Sequence, residues 1–409
     1  MSALASPVDV AIVGASVAGC ASAILFARMG YKVAVFEQKS VAQASHYKSL
    51  CTHFIQPSAV PILDRLGLAA LRQPPHSVQT QAMFVTSGGI IDDAHAYGEH
   101  GAYALNLERS VLDPALREAV RAHGVQLVDE CDVAEVHAGA EGWKLIAGNG
   151  EAIASARLLI GADGRQSRLA KQLGTPMEQR PNDRAAVFGY FSGIDCPDQQ
   201  RSIFILHEGE MAFVYPLPNG RTLLSVYIGK ERARQWRSAP SMEAELLAYI
   251  KSLPEAPDLS NASLQSNLLG YLDYPNQIRE PVHRSVALVG DAAMSLDPMS
   301  GVGCAFALTS AQLLADAFVG WDGSIAQMER ALDAYALSYR KTIAPHADGI
   351  CADSLTGKSN EVQQRAFFNI SSNRALRIAY LSLTGRMILP SEFQRAFLRS
   401  SLTRAKVPA

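Results

Sequence analysis

The sequence predicts an α/β fold, α+β overall. It consists of a Rossmann-like nucleotide domain assembled from separated segments, an inserted antiparallel β-sheet domain, and a helical C-terminal region. Three observations carry this prediction. Residues 8–37 read as strand, glycine turn, helix and strand. Twice more, at 158–168 and 286–303, an apolar strand runs into a glycine-containing turn before a helix. Between those two sites, from about residue 185, the pattern changes to closely spaced short strands.

Bulk properties set the frame. A chain of 409 residues is too long for one ordinary core, so two or more domains are expected. With 48% hydrophobic and 19% charged residues the composition is that of a soluble globular protein. A formal charge of −2 gives no basic face for nucleic acid. The six cysteines are scattered, with no Cys-x-x-Cys pair. Neither a metal site nor a disulfide framework is expected, and a reducing, cytoplasmic setting fits. The N-terminus lacks a basic start and its apolar run is broken by Asp9, so it reads as the first strand of the fold, not a targeting segment. No uncharged apolar run reaches 18 residues, so no integral membrane segment of the transmembrane-helix kind is expected.

In chain order, residues 8–13 are a strand, 20–29 a helix of small and apolar residues closed by Gly30, and 32–36 a second strand. A polar loop at 38–51 leads to a helical stretch at 57–68. Residues 78–106 alternate as strands around Gly88 and Gly89. Residues 109–123 form a helix with Val111, Leu112, Leu116, Ala119 and Val120 on one face. Short strands follow at 126–128, 132–138, 143–146 and 158–160, then a helix at 167–173. The inserted sheet uses 185–194, 202–207, 212–216 and 222–229, with one helix at 242–252. A strand from 286 and a helix at 304–317 restore the nucleotide-domain pattern, and the chain is helical to its end. The expected boundaries are 1–76, 100–182 and 277–330 for the nucleotide domain, 77–99 and 183–276 for the inserted domain, and 331–409 for the helical region.

The first unit is built for a dinucleotide. Gly14, Ser16 and Gly19 have the fingerprint spacing, with serine at the middle position, and Val17 and Ala18 complete the turn into the helix. Such a turn lets backbone approach a pyrophosphate at a helix N-terminus. Glu37, at the tip of the second strand and followed by Gln38, can accept from both ribose hydroxyls. A purely structural βαβ unit would leave Glu37 unexplained. At the second site Asp163 and Gly164 form a tight turn. At the third, Asp291 follows Gly290, and Gly301 and Gly303 flank Val302 at a helix start, where amides suit electron-rich oxygens. Each of these two, alone, is more often a plain turn; three such sites in this order shift the balance towards a ligand.

Together these motifs resemble the FAD-dependent monooxygenases related to para-hydroxybenzoate hydroxylase, the class A flavoprotein hydroxylases, from about residue 8 to about residue 320. The resemblance implies a Rossmann-like FAD-binding domain. Gly14, Ser16, Gly19 and Glu37 would hold the ADP half of FAD. Asp163-Gly164 would lie near the pyrophosphate and in NAD(P)H use, and Gly290-Asp291 would bind the ribityl chain. Pro298, Gly301 and Gly303 would flank the flavin ring, Arg109 would contact the cofactor, and Lys48 is the candidate for a loop cation usually supplied by arginine. Three departures stand out. Met294 replaces a common histidine, Gly301-Val302-Gly303-Cys304-Ala305 replaces the usual Gly-Gln-Gly-x-Asn, and Asp297 places a charge before Pro298.

The implied activity is NAD(P)H- and O2-dependent hydroxylation or epoxidation of an aromatic or polycyclic small molecule through a flavin C4a-hydroperoxide, in a monomer or homodimer. Two other enzymes share the motifs: a flavin-dependent halogenase, and an alkene reductase of the geranylgeranyl reductase kind. None of Trp143, Trp236 and Trp321 sits in the Trp-x-Trp-x-Ile-Pro motif typical of the halogenases. A non-catalytic FAD sensor has no feature in its favour. Phe188, Tyr190, Phe204, Phe213, Tyr215 and Tyr227 would roof the ring or fill the sheet core. His46 and His53, flanking Lys48, are loop histidines expected to be solvated, and no motif supplies a catalytic base. Arg374, Arg377, Arg386, Arg395, Arg399, Arg404 and Lys406 make the tail basic. A cap on the nucleotide domain or an oligomer contact is expected of it, ahead of a membrane-surface helix.

Overall fold

A computed structural model describes residues 6–41, 46–98, 101–140, 142–196, 198, 200–355 and 361–404, the side chains of 401–404 excepted. Lys406, the Arg404 side chain and part of the polar loop, 42–45, lie outside this description.

The predicted α/β fold is observed. Val8–Val13 is a near-continuous apolar run because it is central in a parallel sheet and covered on both faces. It pairs in parallel with Val33–Phe36 on one side and Ala152–Gly161 on the other, and Ala152–Gly161 pairs in parallel with Val286–Leu288. The register decides the site. Val13 lies opposite Gly161, and Gly161 opposite Leu288. Three strands therefore end level, and the three glycine turns stand side by side at their carboxyl ends. In an open α/β sheet that edge is where ligands bind.

Helices follow from the same logic. Val17–Arg28 is small and apolar on every side and is buried from Val17 to Phe26 between sheet and neighbouring helices. Gly19 permits this: a Cβ there would stand 1.9 Å from the Gly14 carbonyl oxygen. Arg109–Ala122 buries Leu112, Leu116 and Val120, a single i, i+4, i+8 stripe. The stretch expected at 57–68 is helical only over Val60–Arg65, ending before Gly67 at φ +76°.

The second large sheet has ten strands. Arg184–Ser192, Arg221–Gly229, Glu210–Leu217 and Arg201–His207 run antiparallel as expected. Ser77–Thr86, however, joins Arg201–His207 in parallel. Local hairpin reasoning cannot see this pairing, because the connection between those two strands passes through the nucleotide-binding segments. A three-stranded sheet of Met177–Arg180, Asn276–Arg279 and Met294–Ser295 lies apart from both. The expected single helix has a companion, Lys230–Ser238. Only Ala233 and Trp236 of that helix are buried, too few for a visible apolar stripe.

The C-terminal helices divide. Ile325–Thr342 packs on Gly303–Ala317, as a cap on the nucleotide side would. Glu361–Ser371 and Arg374–Thr384 cover the second sheet instead, with Tyr380 edge-on to Phe84. Arg374 and Arg377 reach Asp93 beside that sheet, at 3.0 and 3.8 Å. The tail's charge therefore serves packing here, correcting the expected placement. Among the described residues no helix is long and apolar enough to cross a membrane.

Candidate functional site

The three aligned turns border a cleft of about 520 Å³, within the usual range of roughly 300–1,000 Å³ for cofactor sites. Its lining includes Gly14, Ser16, Val17 and Ala18 from the first turn, with Glu37 and Gln38 beyond. Asp163 and Gly164 come from the second turn, and Asp291, Pro298, Gly301, Val302 and Gly303 from the third. Lys48 and Arg109 complete it. Two expected residues do not face the cleft. Gly19 packs against the Gly14 backbone, and Gly290, at φ +58°, lies where a Cβ would meet the Ala18 side chain at 2.8 Å. Both glycines bring the cleft's walls together.

Glu37, nearly buried, accepts from the Ala15 amide at 2.8 Å and the Lys39 amide at 3.1 Å. Its carboxylate thus ties the second strand to the glycine turn. Ser16 begins the helix Val17–Arg28 without a side-chain cap. Its hydroxyl instead accepts from Arg109 Nη2 at 2.8 Å. Arg109 is buried and paired with Asp113 through Nε at 2.6 Å and Nη2 at 2.9 Å. Burial opposes the guanidinium's charge, but Asp113 together with Cys304 and Cys51 outweighs it and the pKa is raised. Arg109 therefore fixes the serine that stands at the middle fingerprint position. The helix Gly303–Ala317 also starts without a side-chain cap, and neither helix has an acid in its first turn. Two positive helix ends at the cleft are left for an anionic or electron-rich ligand.

Asp291 is reached by Lys48 Nζ at 2.9 Å, and its charge raises the lysine pKa. Asp163 accepts from Leu169 N at 3.0 Å in the first turn of the next helix, which Ser167 caps, while its buried Oδ1 has no partner among the described residues. Gly301 is left-handed at φ +64°, and a Cβ on Gly303 would meet nothing within 4 Å. The unusual Asp297 is the staple of this segment. It caps the Pro298–Ser300 turn, accepting from Met299 N at 3.2 Å and from Arg184 Nη1 at 3.1 Å, while its own amide donates to Asn276 at 2.7 Å. Burial raises its pKa and Arg184 opposes that.

The histidines differ from each other. His46 is partly exposed, with its pKa lowered by burial and then by Arg117, which also donates to its carbonyl. His53 is buried, contrary to expectation. Its Nδ1 accepts from the Arg109 amide at 3.1 Å, so Nε2 carries the proton and donates to the Tyr190 hydroxyl. It ties the start of the helix Arg109–Ala122 to Arg184–Ser192 of the second sheet. Of the roof aromatics, Phe188 and Tyr227 line the cleft, Phe204 lines a second cavity, and Phe213 and Tyr215 are core.

Several cleft residues carried no motif. Arg165 stacks over Tyr274 at 4.0 Å, and only its place after Asp163-Gly164 hints at it. Cys51 and Cys304 meet at the cleft wall although far apart in sequence. Hydrogen bonding from Cys304 holds the Cys51 thiol well below its ordinary pKa, with His53 and Arg109 acting the same way, and Cys304 moves up.

A cleft with an acid at one end, bare helix starts along its length and an open glycine cradle at the other fits an extended dinucleotide such as FAD. Comparison with known proteins agrees. The family model described as FAD binding domain matches residues 7–346. The chain is 23% identical over 338 residues to the 1H-pyrrole-2-carbonyl-(peptidyl-carrier protein) chlorinase of Pseudomonas fluorescens, covering 75% of this chain and 74% of that one. It is 26% identical over 360 residues to a digeranylgeranylglycerophospholipid reductase of Methanothrix thermoacetophila, covering 83% and 86%. Its fold is similar to the crystal structure of p-nitrophenol 4-monooxygenase PnpA from Pseudomonas putida, with a TM-score of 0.76 at 19% identity, over 95% of this chain and 100% of that one. The family match takes in most of the chain, which therefore belongs to the FAD binding domain family of oxidoreductases, as its resemblance to the class A flavoprotein hydroxylases implies.

Proposed function

We propose that this oxidoreductase is a monooxygenase that uses FAD, NAD(P)H and O2 to hydroxylate or epoxidise an aromatic small molecule. The similar proteins include a chlorinase, a reductase and a monooxygenase, so family membership alone does not select the reaction. The observation that supports this reading, against reduction of a long lipid chain, is a second, aromatic-lined cavity of about 190 Å³ beside the cleft. It is far too small for a long prenyl chain and the right scale for an aromatic ring. Phe54 borders both cavities, and one turn lies between them: Pro298 and Gly301 face the cleft, Asp297, Met299 and Ser300 the cavity.

FAD, when bound, supplies the electron transfer from NAD(P)H to O2. The chain's own residues position it. Glu37 would accept from the adenosine ribose, the Gly14–Val17 backbone and its helix start would hold the pyrophosphate, and Asp291 would accept from the ribityl hydroxyls. Arg109 is a positioning residue acting through Ser16, and Lys48 closes the cleft over Asp291. The amides of Val302 and Gly303 would meet negative charge on the ring without reorganisation, whereas that of Gly301 is taken up by the Pro298 carbonyl at 3.0 Å. The first sheet with its helices forms the cofactor domain, and the second, with Phe188 and Tyr227 over the cleft, the substrate domain that excludes water.

The test is product analysis. FAD-loaded protein supplied with NADH or NADPH, labelled O2, chloride and a panel of aromatics is expected to give a product carrying one labelled oxygen. A chlorinated product, or nicotinamide oxidation in which no aromatic is converted, would sink the proposal.

A further inference from the structure

The second cavity has a polar pole that the cofactor cleft does not explain. Phe84 and Phe204, stacked at 4.7 Å, and Tyr380 make its apolar wall. Arg386 and His346 supply the pole. Arg386 is in the left-handed region at φ +60° and donates through Nη2 to the Ser300 carbonyl at 3.3 Å, on the turn beside the cleft. Its Nε is buried and has no partner among the described residues. His346 is 3% exposed, and its Nδ1 is likewise buried and unpartnered among the described residues. Two orphaned polar atoms on one apolar cavity are costly unless a ligand satisfies them.

We propose that this cavity binds a single-ring phenol whose hydroxyl accepts from Arg386 Nε and donates to His346 Nδ1, making these two residues the determinants of substrate choice. The proposal rests on the monooxygenase reading for the ring's fate, but not for its binding. Size favours one ring: an apolar cavity of about 150 Å³ accommodates benzene, so about 190 Å³ holds one ring with a small substituent and leaves little room to spare around two fused rings. Charge sets the substituent. Arg184 is paired with Asp297, and Asp353 acts on Arg386. A carboxylate would bring an unmatched negative charge into a buried site, whereas a neutral hydroxyl would not. Protonation agrees. Burial lowers His346 to about 4, with Arg386 acting the same way, so its ring is neutral and free to accept in its Nε2–H form. Burial also lowers Arg386, to about 10, which leaves it a cation and a donor.

Calorimetric titration of the full-length, FAD-loaded protein with phenol, benzoate and 1-naphthol tests this without turnover. Phenol is expected to bind at least tenfold more tightly than either of the others. Arg386→Gln and His346→Leu should each weaken phenol at least tenfold and leave FAD affinity unchanged. Because loss of a buried polar group can also disturb folding, Ala82→Leu provides a second route: it fills the cavity from the sheet side, removes no polar group, and should abolish phenol binding. Benzoate or naphthol binding as well as phenol, or phenol affinity unaltered in all three variants, would overturn the proposal. Phenol binding as expected with no oxygenated product would instead remove the monooxygenase reading and leave the cavity assignment standing.

Discussion

Asp291 shows how one residue separates stability from cofactor binding. Among the described residues its side chain is paired with Lys48 alone, whose side chain is 44% exposed, so the pair adds no more than about 1 kcal/mol to folding. If Asp291 accepts from the cofactor, its loss removes hydrogen bonds to a charged group worth about 1.5–3 kcal/mol. Asp291→Asn should therefore weaken FAD binding roughly tenfold or more while Tm barely moves. Fluorescence titration beside a thermal melt checks this, and a lowered Tm with native FAD affinity would make the residue purely structural. Single residues were also where the sequence was least legible. Asp297 stood out only as a charge in an odd place. Its capping bond to Met299 is local, but its pair with Arg184 and its amide's bond to Asn276 reach segments that no local pattern connects.

At the scale of elements, the glycines divide by what their missing side chains make room for. Gly14 and Gly19 leave room for protein: added Cβ atoms would lie 2.4 Å from the Ala162 carbonyl oxygen and 1.9 Å from that of Gly14. Gly303 leaves room for something else, since nothing lies within 4 Å. Gly19→Ala should lower stability by about 1–3 kcal/mol or more, because backbone must move. Gly303→Val should fold with near-native Tm and lose at least about tenfold in NAD(P)H-driven oxygen consumption, about 1.4 kcal/mol in the barrier. Native turnover in Gly303→Val would show that this segment does not touch the flavin. The βαβ unit, the three turns and the sheet class were legible because each is local: a strand period, a glycine, a helix start. The parallel pairing of Ser77–Thr86 with Arg201–His207 and the helix Lys230–Ser238 were not. The first depends on contacts across the whole chain, and the second buries only two residues.

On the scale of the whole molecule, the two cavities depend on different parts of the chain. The cleft is walled by the two large sheets and the helices next to them, and none of its lining comes from beyond residue 307. The second cavity takes one wall from the C-terminal helices, through Tyr380 and Arg386. Those helices dock at Gly88, where a Cβ would lie 2.2 Å from Phe368 N and 2.5 Å from the Phe367 carbonyl carbon, both backbone atoms. The Ser371 hydroxyl donates to the Gly88 carbonyl at 2.6 Å. A side chain at residue 88 must push this whole face away, because neither atom belongs to a flexible side chain. Gly88→Val should therefore speed amide hydrogen exchange across 361–384, and phenol binding should fall with it as the wall moves. FAD content should stay native, since the cleft's own walls are untouched. Exchange at wild-type rates would mean that the C-terminal helices are held mainly by Tyr380 and the Asp93 ion pairs. Simultaneous loss of FAD would mean that the two cavities are one cooperative unit, with substrate binding and cofactor binding coupled through the Asp297–Gly301 turn.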